Sequence, residues 1–295
     1  MGFSLVILAA GFGSRYGGLK QLDGFGPHNE PIIMYSIYDA LRFGCDHVVF
    51  VIRHDFEEAF VEAIGSIVEK YVRVSYVFQT KELFVPDEYS DLIQNREKPR
   101  GTAHATLVAK DVIDQPFAII NADDYYGRDA FEQIAAFLKT ITPKQIGMVG
   151  YVLEKTLSPF GSINRGVCKV KNGLLTEVVE HLKINANSDG LLYDEHGQEI
   201  DRKSIASMNF WGFHPSIFTY FDNGFTNFLH DNNGQGEYFI PIVVDTCIHK
   251  NSMECVVMMS HDQRCGVSYQ EDKPFVQETI AGLHSQGTYP DQLFA

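Results

Sequence analysis

The chain is short of positive charge: across 295 residues, 24 Lys and Arg stand against 38 Asp and Glu, a formal net charge of -14. Without a basic stripe to neutralise phosphates, a general nucleic-acid binder is excluded, and any polyanionic ligand must be held by a local pocket. Long apolar runs are missing as well. No stretch approaches the ~18 residues needed to span a bilayer, and Leu5 to Ala10 lacks the charged lead-in and cleavage site of a signal peptide. The expectation is a cytoplasmic protein with no membrane partner. The Met1-Gly2 start lacks the Ser or Thr that myristoylation wants, since Val6 stands there. Cysteine is sparse and unpatterned: Cys45, Cys168, Cys247, Cys255 and Cys265 form an odd set with no C-x-x-C spacing, so buried free thiols are expected rather than a disulfide framework or zinc knuckle. There is no Pro- or Ser-rich linker and no internal repeat to mark a domain boundary.

What is present is packing material. A composition of 45% hydrophobic, 21% charged and 13% aromatic residues rules out disorder as the main theme. The first 150 residues alternate apolar runs with amphipathic stretches, the pattern of parallel strands joined by crossover helices. Strands are predicted at Leu5–Ala9, Val48–Ile52, Tyr71–Phe78, Phe117–Asn121 and Met148–Leu153. Ile33, Ser36, Ile37, Ala40 and Leu41 share one helical face, as do Phe56, Phe60, Ala63, Ile64 and Ile67. After about residue 160 the signals turn antiparallel, clearest where Asn172-Gly173 separates Val167–Val170 from Leu175–Val179. Residues 185–204 read as a loop or small excursion, Met208–Phe213 and Met253–Met259 as strands, and Glu237–Lys250 and Pro274–Gln286 as helices.

The most informative segment follows the first strand: Leu8-Ala9-Ala10-Gly11-Phe12-Gly13-Ser14-Arg15-Tyr16-Gly17-Gly18-Leu19-Lys20. Glycines let successive backbone N–H groups converge on phosphate oxygens, and Arg15 and Lys20 add fixed positive charge. Two familiar phosphate loops fit badly. A dinucleotide fingerprint needs a third glycine where Tyr16 stands and a helix at once, and the second strand ends in Arg53 rather than an acid for a ribose. A Walker A loop needs Gly-Lys-Ser/Thr, but Leu19 follows Gly18.

At Leu8, Ala9, Ala10, Gly11, Gly13, Ser14, Arg15 and Lys20 the sequence resembles the sugar-phosphate nucleotidylyltransferases, whose opening signature is L-A-A-G-x-G-[ST]-R followed shortly by Lys. The resemblance continues through Pro31-Ile32-Ile33, with Glu30 where the family usually has Lys. It implies that this loop wraps a nucleoside triphosphate, with Arg15 and Lys20 stabilising charge at the reacting phosphorus. Pro99-Arg100-Gly101-Thr102-Ala103-His104-Ala105 resembles the nucleobase segment, especially the G-T-x-H-A form of the N-acetylglucosamine-1-phosphate uridylyltransferases, with Lys98 where a base-reading Gln is frequent. Pro99, Gly101 and Thr102 are the implied contacts, and an ordinary histidine of the core or helix surface is the favoured reading of His104.

Asn121-Ala122-Asp123-Asp124 closes an apolar strand where the family has Gly-Asp, which implies that Asp123 holds the magnesium ion bridging the nucleotide phosphates, with Asp124 behind it. Gly150, Gly161, Glu180, Lys183 and Asn209 fall where the family places its sugar-phosphate contacts. The usual motif is Glu-Lys-Pro, and here the cation stands two residues late, in Glu180-His181-Leu182-Lys183. The family's second metal ligand falls on Gly266, and Asp262, four residues earlier, is the candidate substitute.

The resemblance implies an α/β protein with a Rossmann-like, GT-A-type three-layer α/β/α sandwich, its sheet mixed and mostly parallel, with a C-terminal antiparallel elaboration. It implies one nucleotidyltransferase domain over residues 1–295, about 1–150 forming the nucleotide half and about 151–295 the sugar-phosphate half. The activity implied is transfer of NMP from an NTP to a sugar 1-phosphate with Mg2+, giving an NDP-sugar and pyrophosphate, uridylyl or thymidylyl transfer being slightly favoured. A GT-A-type glycosyltransferase is a rival, although Asp123-Asp124 is not its usual Asp-x-Asp motif. A non-catalytic nucleotide-binding regulator is another, and a homo-oligomer is among the expected assemblies.

Overall fold

The computed structural model describes residues 2–11, 20–89, 96, 99–232, 235–251, 253–262, 265–267 and 269–295. In chain order its principal elements begin with β1 (Phe3–Leu8), α1 (Ile32–Arg42) and β2 (Cys45–Ile52). Next comes α2, which starts as Glu57–Phe60 and runs through the π turn Val61–Gly65 into Ser66–Val68. Then follow β3 (Arg73–Phe78), α3 (Thr102–Leu107), β4 (Phe117–Asn121), β5 (Asp124–Tyr125), α4 (Arg128–Leu138) and β6 (Gln145–Val152). The remainder contributes β7 (Ile163–Lys171), β8 (Leu174–Ala186), β9 (Leu192–Tyr193), β10 (Glu199–Ile200) and β11 (Ile205–Phe213). It closes with α5 (Phe218–Asp231), α6 (Ile240–Asn251), β12 (Glu254–Met259), β13 (Cys265–Gly266) and α7 (Lys273–Ser285).

The sheet order is β10-β9-β8-β12-β6-β11-β4-β1-β2-β3, with β7 pairing to both β11 and β8. β3, β2, β1 and β4 are mutually parallel, as are β6 and β12. This is the mixed sheet the sequence leads one to expect, but antiparallel pairing reaches further in than an elaboration at one end. β11 lies antiparallel between β4 and β6, in the body of the sheet. Its apolar run is buried on both faces, so it reads like a parallel core strand, and only the tertiary pairing shows its direction.

Alternation along the buried strands divides the interior in two. Leu5 and Ile7 of β1, with Val48, Phe50 and Ile52 of β2, pack beneath Ile33 and Ile37 of α1, Phe60 and Ile64 of α2, Phe131 and Ile134 of α4, and Val276 and Ile280 of α7. Val6, Val49 and Val51 point the other way, towards Leu107 of α3, Phe221 and Phe225 of α5, and Val244 and Cys247 of α6. Helices on both faces of one sheet make the three layers, and each buried Phe or Ile contributes roughly 1.5–3 kcal/mol. The helical faces predicted for α1 and α2 are therefore the ones that meet the sheet.

The predicted hairpin is present and much longer than its signal, spanning β7 and β8. Asn172 and Gly173 both adopt positive φ, 54° and 77°, which matches the right-handed twist of the strands they join. The polar stretch after it folds back as the short β9–β10 pair over a small core of Leu153, Ile163, Ile184, Leu192, Ile200 and Ala206. No helix among the described residues is long and apolar enough to cross a membrane.

Candidate active site

Leu8 at the end of β1 pairs with Asn121 at the end of β4, and these two strands leave the sheet in different directions, β1 connecting towards β2 on its other side. Such a point opens a crevice at the carboxyl ends of parallel strands, where open α/β sheets bind ligands. The Ala9 amide donates to the Val51 carbonyl at 2.9 Å and the Ala122 amide to the Leu8 carbonyl at 3.2 Å, so both chain exits are tied to the sheet rim. Ala9 and Ala10 are buried, whereas Gly11 is exposed with open space where a side chain would stand. Gln21 Nε2 donates to the carbonyls of Ala9 (3.2 Å) and Gly11 (3.1 Å), anchoring the start of the glycine-rich segment to the turn that ends it. Arg53 Nη1 donates to the Ala10 carbonyl at 3.4 Å while Nε and Nη2 grip the Asp55 carboxylate at 2.8 and 2.6 Å. Gly13, Ser14 and Arg15 lie outside the described residues; Lys20 opens the short turn Lys20–Leu22, and its side chain is likewise outside the description.

The acidic turn faces this exit. Asp123 is half-buried, while Asp124 is buried in β5 and accepts a hydrogen bond from Asn121 Nδ2 at 3.2 Å. The Tyr126 hydroxyl accepts from the Asn121 amide and donates to the Met208 carbonyl, both at 2.9 Å, and the Tyr126 carbonyl accepts from the Tyr151 hydroxyl at 2.9 Å. Asn209 sits next to Met208 on an irregularity of β11 between Ser207 and Trp211, with φ 60°, and its Nδ2 donates to Asn121 Oδ1 at 3.4 Å. The bulge thus brings Asn209 to the acidic turn. Asn121 and Tyr126 support the acidic turn of the candidate site and were not singled out by sequence reasoning; an aromatic pair straight after two acids was the available signal.

Register brings two more predicted positions into one row. Ser207 of β11 faces Gly150 of β6 on one side and Gly166 of β7 on the other, and Gly166 faces Glu180 of β8. A Cβ on Gly150 would press on Ile205 Cγ2 at 2.8 Å, and one on Gly166 would stand 3.1 Å from Val178 Cγ2, so neighbouring apolar side chains occupy the space beside both glycines. Burial pushes the Glu180 carboxyl up to about 7, against the pull of Arg165. Gly161 packs under the Tyr269 ring, whose hydroxyl donates to the Ser162 carbonyl at 2.9 Å. Lys183 is exposed at a bulge with φ 53°, and its Nζ lies 2.9 Å from Glu195 Oε2.

The segment Pro99–Ala105, where the resemblance leads one to expect the base, is fastened to the loop before α6. Tyr238 donates its amide to the Arg100 carbonyl (2.8 Å) and accepts from the Ala103 amide (2.9 Å), and the Ile240 amide donates to Thr102 Oγ1 (3.2 Å). Gly101 has φ 90° and ψ 179°, a glycine-only conformation, and a Cβ there would stand 2.6 Å from the Tyr238 carbonyl oxygen. Pro99 accepts a hydrogen bond from Arg96 Nη2 at 3.0 Å. His104 is a core histidine: it is fully buried, with Nδ1 3.1 Å from Gln79 Nε2 and Nε2 2.9 Å from the Leu83 carbonyl, and burial drives its pKa down to about 4. A neutral ring donating from Nε2 and accepting at Nδ1 satisfies both partners.

Gly266 pairs with Asp124 across β13 and β5, and the Val267 amide donates to the Asp123 carbonyl at 3.3 Å, so the position without a carboxylate lies directly beside the acidic turn. Asp262 caps α4, its Oδ2 accepting from the Asp129 amide at 2.8 Å, and it lines a cavity of about 790 Å³ with Tyr125, Arg128, Glu132 and Phe275. Among the described residues no group of three or more His, Cys, Asp or Glu side chains is arranged to hold a metal ion.

The family described as Nucleotidyl transferase matches residues 4–269. This chain belongs to the nucleotidyl transferase family. It is 26% identical over 232 residues to the bifunctional protein GlmU of Methanococcus vannielii, an alignment covering 72% of this chain and 51% of that one. The nucleotidyl transferase chain thus spans about half the length of that relative. Among solved structures it is similar to the inositol-1-phosphate CTP transferase from T. maritima, with a TM-score of 0.66, 12% identity and 95% of each chain covered. A putative glucose-1-phosphate thymidylyltransferase from Bacillus anthracis has a TM-score of 0.66 at 14% identity, covering 94% of this chain and 95% of its own. A UDP-glucose pyrophosphorylase complexed with UDP-glucose has a TM-score of 0.62 at 17% identity, covering 96% and 99%. At these identities the three structures speak to the fold, which is that of the GT-A-like nucleotidyltransferases.

Proposed function

We propose that this protein transfers a nucleoside monophosphate from a nucleoside triphosphate to a sugar 1-phosphate, releasing pyrophosphate, with uridylyl or thymidylyl transfer slightly favoured and the G-T-x-H-A segment supporting the uridylyl form. The observation that carries the reading is the acidic turn Asn121–Asp124 standing at the end of β4 beside the β1 exit into the glycine-rich segment. Residues 1–295 then act as one domain, the crevice at β1 and β4 taking the nucleotide and the Gly150–Glu180 row taking the acceptor.

In the proposed reaction an acceptor phosphate oxygen forms a bond to the α-phosphorus, the bond from that phosphorus to the bridging oxygen breaks, and pyrophosphate leaves with the electron pair. A phosphate monoester with a second pKa near ~6 is already ionised at neutral pH, so no protein base has to remove a proton. The chain's contribution is positioning and charge neutralisation. Arg15 and Lys20 supply positive charge to the phosphates, backbone amides of the segment beginning at Gly11 wrap them, and Thr102 and Gly101 shape the base end. Glu180 and Asn209 would accept and donate hydrogen bonds to acceptor hydroxyls, and Lys183 would pair with the acceptor phosphate.

The donor chemistry fits magnesium, a hard cation that typically takes one or two carboxylates and completes its shell with waters and substrate phosphates. Asp123 is the carboxylate at the crevice, and Asp124 is steadied by Asn121 behind it. Asp123 would hold the ion, with Asp262 the candidate second ligand, and the bound ion would neutralise charge on the triphosphate. We place this activity in the cytoplasm, where nucleoside triphosphates are made.

The test is pyrophosphate release with Mg2+, crossing the common nucleoside triphosphates with a panel of sugar 1-phosphates, and with EDTA and Asp123→Ala as controls. Release confined to one pair and lost in both controls supports the reading. Gly266, bare beside Asp124, favours a second reading as a non-catalytic nucleotide-binding regulator. A chain that binds triphosphate by thermal shift yet is silent across the grid would move the weight there.

A further inference from the structure

The acidic turn is held from behind by residues distant in sequence. Tyr125 follows Asp124 in β5, and its hydroxyl lies 2.9 Å from the hydroxyl of Tyr289, beyond α7. Tyr289 is buried and donates in turn to Asp39 Oδ2 at 2.5 Å. Asp39 stands on the inner face of α1, fully buried, with its other carboxylate oxygen 3.6 Å from Arg128 Nε at the start of α4. Arg128 Nη2 donates to the Thr288 carbonyl. The Tyr289 ring is enclosed by the rings of Tyr35 (4.9 Å), Tyr38 (5.9 Å) and Tyr125 (6.3 Å), and the Arg128 guanidinium lies 5.7 Å from its centre.

A buried carboxylate is costly, and a hydrocarbon contact of the same volume would hold these elements together as well or better. What the polar chain adds is a fixed length and direction between three pieces: the helix that follows the glycine-rich segment, the turn that carries Asp123, and the C-terminal segment. The geometry points to Tyr289 as a positioning residue: anchored on Asp39, its hydroxyl holds Tyr125 and thereby sets the Asp123–Asp124 turn relative to α1. This rests on the reading of Asp123 as the metal-holding carboxylate. Hydrogen-bonded supports behind a ligand side chain commonly tune metal sites by 10- to 100-fold.

Tyr289→Phe in the full chain removes the hydroxyl from both hydrogen bonds and leaves the ring in its cage. Amide hydrogen exchange, followed by mass spectrometry, reads positioning without reference to turnover. Exchange over residues 122–126 is expected to rise about tenfold while α5 amides keep their wild-type rates, and kcat for nucleotidyl transfer is expected to fall about tenfold with the acceptor KM within about twofold. Asp39→Asn, which keeps the shape and a neutral acceptor for Tyr289, is expected to recover most of the protection that Asp39→Ala loses. Wild-type exchange in the turn of Tyr289→Phe overturns the proposal. So does an equal rise in the turn and in α5, which would be loss of stability rather than of position. If the wild-type protein transfers no nucleotide to any acceptor, the functional reading falls alone, and the exchange comparison still decides the role of Tyr289.

Discussion

The neutrality of His104 in the folded protein has a consequence for acid stability that can be worked out. Its pKa falls from the usual 6.5 to about 4 because the ring is buried, between Gln79 and the Leu83 carbonyl. As pH drops below 6.5 the unfolded chain takes up a proton that the folded chain refuses until about 4, so unfolding is favoured and stability is lost across that window as pH falls. Integrated from about pH 7.5 to about pH 4.5, the loss is about 2–3 kcal/mol, against a typical total of ~5–15 kcal/mol. The assay is urea unfolding at those two pH values for the wild type and His104→Gln, whose amide can still donate to Leu83. Carboxylates titrate alike in both proteins and cancel in the comparison. The variant should be less stable near neutrality, from imperfect packing, but should lose about 2–3 kcal/mol less on acidification. Equal losses in the two proteins would refute the argument and would mean that the buried ring takes its proton without leaving the core.

Gly101→Ala places a methyl carbon in a glycine-only conformation and within 2.6 Å of the Tyr238 carbonyl oxygen, so a destabilisation of about 2–4 kcal/mol is expected in chemical unfolding. Tyr126→Phe frees the Asn121 amide and the Met208 carbonyl together and should cost about 1–3 kcal/mol while lowering turnover, both read on one purified sample. Because Glu180 ionises near 7, the apparent acceptor affinity should weaken as pH falls through that value, by up to about tenfold per unit below it; Glu180→Gln should flatten this component, leaving only the titration of the acceptor phosphate. Lys20→Ala should lower nucleotidyl transfer by orders of magnitude with the unfolding transition unchanged, and full turnover in that variant would remove Lys20 from the mechanism.

Local signals carried the parallel half of the fold. Continuous apolar runs at β1, β2 and β4 and the 3.6-period face of α1 are properties of short windows, and burial on both sides of the sheet is the physical reason those strands are apolar throughout. The Asn172-Gly173 turn was equally legible because two successive positive φ values demand residues of that kind. The glycine-rich segment pointed to a phosphate ligand by residue type, whereas the magnesium role expected of Asp123 came only from the family resemblance.

Other features depend on partners far away in sequence. Nothing near β11 says that it runs antiparallel between β4 and β6, since direction is set by which strands flank it. Glu180 and Gly150 share a row only because Ser207 and Gly166 are paired between them, and Asn209 reaches Asn121 only because β11 bulges. The necessity of Gly101 comes from the backbone of Tyr238, and the neutrality of His104 from its burial in the core, which outweighs the pull of the Leu83 carbonyl towards the charged form. Sequence by itself determined which groups are available for chemistry and which short segments repeat with the period of a helix or strand. Tertiary structure alone decided which of those groups meet, how far each is taken from water, and hence the charge that His104, Glu180 and Asp39 carry at a given pH. Desolvation and pairing are sums over atoms brought together by folding, and no window of the chain contains them.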